Sequence, residues 1–129
     1  MRTASLSAAA ALLLTASSAL ATSTIHCRTG SQGPELWLSI SNDTRTGLFG
    51  ARIVDGGEEM VTDATRGGPR IVRSFVNPRR LSLRVARRGA RGALASLTAV
   101  RRSIPYVGTF TWRGRTRPVR CFWDEDDPG

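Results

Sequence analysis

Apolar and polar residues alternate along several short stretches of the chain, and this period of two is the pattern of half-buried β-strands. The clearest cases are residues 35–41, 81–87 and 106–113. In each stretch, one face is apolar and the other is mostly polar, small or charged, with Trp37 and Val107 as the exceptions. The apolar residues and the one glycine that share a face are Leu36, Leu38 and Ile40; Leu81, Leu83 and Val85; and Tyr106, Gly108, Phe110 and Trp112.

Less regular strands are predicted at residues 24–28, 48–54, 71–76 and 117–123. Residues 93–101 fit either a strand or a short helix, since Leu94 and Leu97 would suit both, and we favour the strand. Turn-forming residues separate these stretches. They lie at residues 42–47, 55–57, 67–69, 77–78, 88–89 and 113–115.

Seven or eight short strands in one small chain predict an all-β fold, a small antiparallel sandwich or barrel. The chain has 129 residues, 13 glycines and 6 prolines. Removing an N-terminal signal of 21 residues leaves 108, which suffices for one domain with one modest core. We therefore predict a single domain over residues 22–123.

The first 21 residues are predicted to be a cleaved secretory signal peptide. Arg2 precedes an apolar stretch at residues 8–14, and a small-residue cleavage site follows at residues 19–21. No lipobox precedes Cys27, so no lipid anchor is expected. No later stretch approaches the roughly 20 apolar residues of a membrane-spanning helix. These features predict a periplasmic or secreted protein.

Cys27 and Cys121 are the only two cysteines and stand near opposite ends of the exported chain. Because thiols persist as disulfides outside the cytosol, we expect these two to be bonded. The bond would close a loop of about 95 residues and stabilise the fold by about 4 kcal/mol. It would also require the first and last strands to be neighbours, since bonded cysteines have Cα atoms within about 7 Å.

Charge is distributed unevenly along the chain. All 19 basic residues are arginines, against 10 acidic residues, and the formal net charge is +9. Residues 22–63 carry 3 arginines and 6 acids, whereas residues 64–123 carry 15 arginines and no acid. Acidic residues at 124–127 begin a short C-terminal tail over residues 124–129. We interpret this tail as a solvated terminus, with binding back onto the arginines as the alternative.

The arginine-rich half predicts an anion-binding surface, because a guanidinium group donates two parallel hydrogen bonds to phosphate, sulfate or carboxylate oxygens. The alternative is a composition bias that places arginine wherever a solvated cation is needed. No known nucleic-acid-binding module is present, so sequence-specific nucleic-acid binding is not predicted. The candidate anion-binding residues surround one predicted strand and are Arg79, Arg80, Arg84, Arg87, Arg88 and Arg91.

Aromatic residues near the C-terminus alternate with arginines, and such side chains can form a stacking platform for sugars or bases. The alternative is that the aromatic rings enter the core and the arginines face solvent. The candidate platform residues are Tyr106, Trp112 and Trp123.

Catalytic and cofactor motifs are absent from the sequence. His26 is the only histidine, and no nucleophile motif accompanies it. We interpret it as a surface strand residue on the face opposite Cys27. One histidine and two oxidised cysteines cannot form a closed zinc site, and without lysine neither a Schiff base nor a Walker loop is possible. We predict no metal and no cofactor.

The layout resembles, in outline, the periplasmic lysozyme inhibitors, which are small exported β domains with terminal cysteines. The tryptophan and glycine motif expected of that family is not present beyond Tyr106, Gly108, Trp112 and Gly114. No site residue is therefore carried over from the family.

Three functions are compatible with the sequence. The first is a non-enzymatic binding domain for an acidic partner of the cell envelope, such as an acidic polymer, a lipid headgroup or an acidic protein. The second is an inhibitor or accessory protein of a periplasmic enzyme. The third, and the least favoured, is a hydrolase that uses His26.

Overall fold

Nine antiparallel strands form one curled, half-barrel sheet in the computed structural model, which describes residues 23–40, 48–62 and 67–127. The strands are β1 (Ser23–Arg28), β2 (Glu35–Ile40), β3 (Leu48–Asp55), β4 (Glu58–Val61), β5 (Arg70–Val76), β6 (Arg80–Ala86), β7 (Ala95–Arg101), β8 (Tyr106–Trp112) and β9 (Arg115–Trp123), and a 3₁₀ turn at Asp124–Asp126 follows β9. Their order across the sheet is β4-β3-β2-β1-β9-β8-β7-β6-β5.

The predicted all-β fold is confirmed, with one strand more than expected among the described residues. The additional strand is β4, which follows β3 through a two-residue turn at Gly56 and Gly57. Only a turn was predicted in this region. Two of the four residues of β4 are the charged Glu58 and Glu59, and so short a segment shows no clear alternation.

Alternation correctly predicted the buried face of the regular strands. Every second residue of β2 and β6 is buried, and the central residues of β7 follow the same pattern. Residues 95–101 are therefore a strand, as favoured, and not a helix. The predicted signal peptide and the turn at residues 42–47 lie outside the described residues.

The buried side chains all lie on the inner face of the curl, where they form one hydrophobic cluster. Tyr106 and Phe110 are its largest fully buried members. Polar groups at its margin have partners: the Tyr106 hydroxyl donates a hydrogen bond to the carbonyl of Asn77 at 2.8 Å, and Trp112 Nε1 donates to Asp55 Oδ2 at 3.0 Å. Because these side chains fill the inner face, a ligand can meet only the outer face, the strand ends and the loops.

Cys27 and Cys121 form a disulfide, as predicted from the sequence. They are direct partners in the pairing of β1 with β9, and their Cα atoms are 4.0 Å apart. The first and last strands are therefore neighbours at the centre of the sheet. No helix in the described part of the chain is long and apolar enough to cross a membrane.

The strand order separates the charges that the sequence separates. Starting from the central β1–β9 pair, one side of the sheet holds β2, β3 and β4 with the acidic residues Glu35, Asp55, Glu58 and Glu59. The other side holds β8, β7, β6 and β5, where the described strands and loops carry arginines and no acid. The uneven distribution of charge along the sequence thus becomes an uneven distribution of charge across the sheet.

Candidate anion-binding face

The six arginines singled out from the sequence are all exposed, and they lie along the whole length of β6. Arg79 and Arg80 are at its start, where Asn77 Oδ1 accepts hydrogen bonds from both backbone N–H groups at 2.8 and 2.7 Å. Arg84 is in the strand, and the remaining three, Arg87, Arg88 and Arg91, are in the connection to β7. At about 3.3 Å per residue, the stripe from residue 80 to residue 87 is roughly 23 Å long.

Arg73 of β5 extends this stripe, although the sequence analysis did not select it. Its Cα is paired directly with that of Arg84, so two guanidinium side chains leave neighbouring strands at the same position. Like charges placed directly opposite each other destabilise a sheet by up to about 1 kcal/mol. No carboxylate of the described residues is within ion-pair distance of either arginine. A bound anion between the two would relieve the repulsion.

A β-bulge explains why the side chain of Arg73 could not be placed from the sequence. The pairing of β5 with β6 shifts between Ile71 and Arg73. Strict alternation would put Ile71, Arg73 and Phe75 on one face. With one extra residue in the strand, Ile71 packs against the core while Arg73 and Phe75 are exposed on the outer face.

Apolar side chains share this outer surface with the arginines. Phe75, Val100 and Val107 are 47 %, 44 % and 50 % exposed. The pairing places Arg80 opposite Val100, and Val100 opposite Val107. We call this surface the arginine face and define it by Arg73, Phe75, Arg80, Arg84, Val100 and Val107. The alternation in β8 already assigned Val107 to the outer face, but only the strand order shows that it adjoins Val100.

Three other arginines are held in ion pairs and are not equivalent to those of the arginine face. Arg52 of β3 pairs with Glu59 at 3.1 Å, and Arg28 of β1 pairs with Asp127 at 2.9 Å. Arg113, in the β8–β9 turn, pairs with Glu58. Hydrogen bonding to Glu58 raises the pKa of Arg113 above its ordinary value.

Tyr106 and Trp112 do not form the aromatic platform considered in the sequence analysis, because they belong to the core. Their exposed fractions are 0 % and 6 %. Arginine side chains cover their rings: Arg101 lies 5.7 Å from the centroid of Tyr106, and Arg113 lies 5.0 Å from that of Trp112. Trp123 is partly buried against the core. The alternative weighed for these aromatic residues, burial with flanking arginines in solvent, describes Tyr106 and Trp112.

His26 lies on the face opposite Cys27, as predicted, but its ring is only 12 % exposed. It stacks on Trp37 of β2 with a centroid separation of 4.7 Å and an interplanar angle of 12°. Its Nδ1 is 2.8 Å from Asp127 Oδ2, and its Nε2 is 2.8 Å from Glu35 Oε2.

This geometry does not favour a hydrolytic role for His26. A general base in a serine hydrolase needs one nitrogen directed at the nucleophile and the other at an orienting carboxylate. Here both nitrogens contact carboxylates. In the part of the chain that the structure describes, no group of three His, Cys, Asp or Glu side chains is arranged to hold a metal ion.

The acidic tail binds back to β1, and not to the arginines around β6. Asp124, Glu125 and Asp126 are exposed in the 3₁₀ turn, but the Asp127 side chain is only 13 % exposed and contacts both His26 and Arg28. The expectation of a fully solvated terminus is therefore wrong for Asp127. The 3₁₀ turn directs the chain back over β1, and the two basic side chains there supply partners for its carboxylate.

Comparisons of the chain with protein-family models, curated proteins and solved structures give no match. Function is therefore inferred from the residues of this chain.

Proposed function

We propose that the protein is an exported, non-enzymatic binding protein that uses the arginine face to bind a polyanion of the cell envelope. The observation that supports this most is the directly opposed pair of Arg73 and Arg84, which has no neutralising carboxylate among the described residues. Protein surfaces usually intersperse charges of both signs, because a field of one sign works against the folded state. An external anion would compensate for this arrangement.

The distribution of ion pairs supports the same proposal. Where the fold brings arginines near acids, as at Arg52, Arg113 and Arg28, they form ion pairs. The arginines of β5 and β6 form no ion pair with a carboxylate of the described residues, although the curl of the sheet brings β5 against β3. A composition bias toward arginine explains the absence of lysine, but it does not explain why the arginines of residues 67–123 have no acid beside them in sequence.

Export is part of the proposal. The signal peptide predicted from the sequence supports a location outside the cytoplasm, where the Cys27–Cys121 disulfide would persist. The available polyanions there are phosphorylated lipids, acidic glycans and free nucleic acid, all of which carry oxygens that match the guanidinium fork.

Heparin binding tests the proposal with a hydrophilic polyanion of high charge. The double variant Arg73→Ala, Arg84→Ala, which removes both members of the opposed pair, should elute from immobilised heparin at clearly lower salt than the wild type. Each lost contact should also reduce the slope of log K against log salt by close to one unit, as for nucleic acids. A reduction of about one to two units is therefore expected.

The matched control is Arg52→Ala, Arg113→Ala, which removes the same charge from arginines that already have carboxylate partners. It should leave the elution salt close to that of the wild type. If the two double variants elute together, the protein responds to net charge alone and the proposal is wrong.

A further inference from the structure

The arginine face combines cations with exposed apolar side chains, and this combination indicates the class of anion. We propose that its ligand is the surface of an anionic lipid bilayer, with arginines on the phosphates and the apolar residues among the upper acyl groups. This inference rests on the proposed function and deepens it. It selects an amphipathic anionic surface over a purely hydrophilic polyanion.

One row across the sheet shows the combination most clearly. Backbone pairing sets Arg80 opposite Val100, Val100 opposite Val107, and Val107 opposite Arg120. The row therefore reads arginine, valine, valine, arginine across β6, β7, β8 and β9. With about 4.8 Å between strands, the two arginines leave the backbone roughly 14 Å apart. Two cations flanking an apolar centre fit headgroups around a patch of exposed acyl chain.

Phe75 and the β7–β8 loop extend the apolar centre. The guanidinium of Arg80 lies 6.0 Å from the ring centroid of Phe75, so the cation and the ring are adjacent on the surface. In the loop, Ile104 is 55 % exposed. A shallow pocket beside it is lined by Val100, Arg102, Ser103, Pro105 and Val107. Apolar and cationic groups thus adjoin each other in the loop as well as on the strands.

A hydrophilic polyanion would not use the apolar half of this surface. The arginines would bind the charged groups of a sulfated glycan or a nucleic-acid backbone. Val100 and Val107 would find no apolar group to contact on such a ligand, so their burial would add little affinity. At the boundary between headgroups and acyl chains, both kinds of side chain find a partner. A second copy of the chain fits poorly, because a two-fold contact would bury the same patch of both copies and so gather Arg73, Arg80 and Arg84 of each in one interface.

Sedimentation with vesicles of phosphatidylglycerol and phosphatidylcholine, compared with pure phosphatidylcholine, tests the inference on the purified disulfide-bonded protein. The wild type should bind the anionic vesicles and leave the neutral ones in suspension. The double variant Val100→Ser, Val107→Ser keeps every charge. It should lower the partition coefficient roughly tenfold or more, since each half-exposed valine contributes about fourfold. Its elution salt from heparin should not change.

Val61→Ser is the matched control for Val107→Ser, because these valines are 51 % and 50 % exposed and Val61 lies on β4, outside the arginine face. It should bind anionic vesicles as the wild type does. Thermal unfolding of every variant checks that the fold is intact.

Each remaining outcome contradicts the inference in a recognisable way. Retention on heparin without vesicle binding, or vesicle binding that the valine variant leaves unchanged, overturns the lipid proposal and preserves polyanion binding. If the protein binds neither heparin nor vesicles, the proposed function is overturned as well. Equal binding to neutral vesicles removes the role of charge. A dimer at assay concentration that the valine substitutions dissociate would show that a second copy covers the face.

Discussion

At the scale of single residues, Gly108 shows how closely neighbouring strands of the sheet approach each other. It lies in β8 between Ala99 of β7 and Val119 of β9. A Cβ atom at this position would be 1.9 Å from the carbonyl oxygen of Thr98 and 2.6 Å from the Cα of Ala99. Both obstacles are backbone atoms of the neighbouring strand, so they cannot rotate away. Only glycine fits here.

Gly108→Ala should therefore lower the free energy of unfolding by about 2–3 kcal/mol, because β7 and β8 must separate to admit one methyl group. Urea unfolding measures this effect. Gly92→Ala is the control, since a Cβ atom there meets no atom within 4 Å and the backbone needs no left-handed conformation. Its effect should stay within about 0.5 kcal/mol. Equal urea midpoints for the two variants would contradict this prediction and show that the sheet can accommodate a methyl group at residue 108.

At the scale of elements, the disulfide joins the two ends of the folded chain at the middle of the sheet. Cys27 and Cys121 are 94 residues apart in sequence and directly paired in the β1–β9 ladder. Without the bond, this ladder must form between the most distant parts of the chain, at a high cost in loop-closure entropy.

Reducing the disulfide should lower the free energy of unfolding by about 4 kcal/mol, most of it through the unfolded chain. Urea unfolding with and without reductant measures the change, and the mass of the native protein should increase by two hydrogens on reduction. The alkylation of two free thiols in the native protein, without reductant, would contradict this result.

Element by element, the sequence was informative wherever alternation was strict. β2, β6 and β8 were predicted with the correct buried faces, because one face of each strand packs into the core along its length. β5 was harder, since its bulge reverses the face of each residue from Arg73 onward. β4 was missed because its two charges are paired with Arg52 of β3 and Arg113 of the β8–β9 turn, and only the tertiary structure supplies these partners.

The candidate site was predictable to the same extent. The exposed arginines around β6 could be selected by counting charges along the chain. The contribution of Arg73 depends on a bulge, and that of Val100 and Val107 depends on which strands are neighbours. Likewise, His26 contacts Asp127, which is 101 positions away in the sequence, and Glu35, which is 9 positions away. No local pattern encodes such contacts.

At the scale of the whole molecule, sequence asymmetry becomes surface asymmetry. The central β1–β9 pair divides the sheet, with acids on β2–β4 and arginines on β5–β8. Because the core fills the inner face, this division is displayed on the outside. An anionic surface should orient the protein as well as attract it, with the arginine face toward the anion and the β2–β4 side away.

The most direct test of the account is to observe the arginine side-chain Nε–Hε signals by NMR while a heparin oligosaccharide is added to labelled protein. We predict the largest, saturable shifts at Arg73, Arg80 and Arg84, and small shifts at the ion-paired Arg52 and Arg113. The largest shifts at Arg52 or Arg113, or equal shifts at all arginines, would contradict the assignment of anion binding to the arginine face.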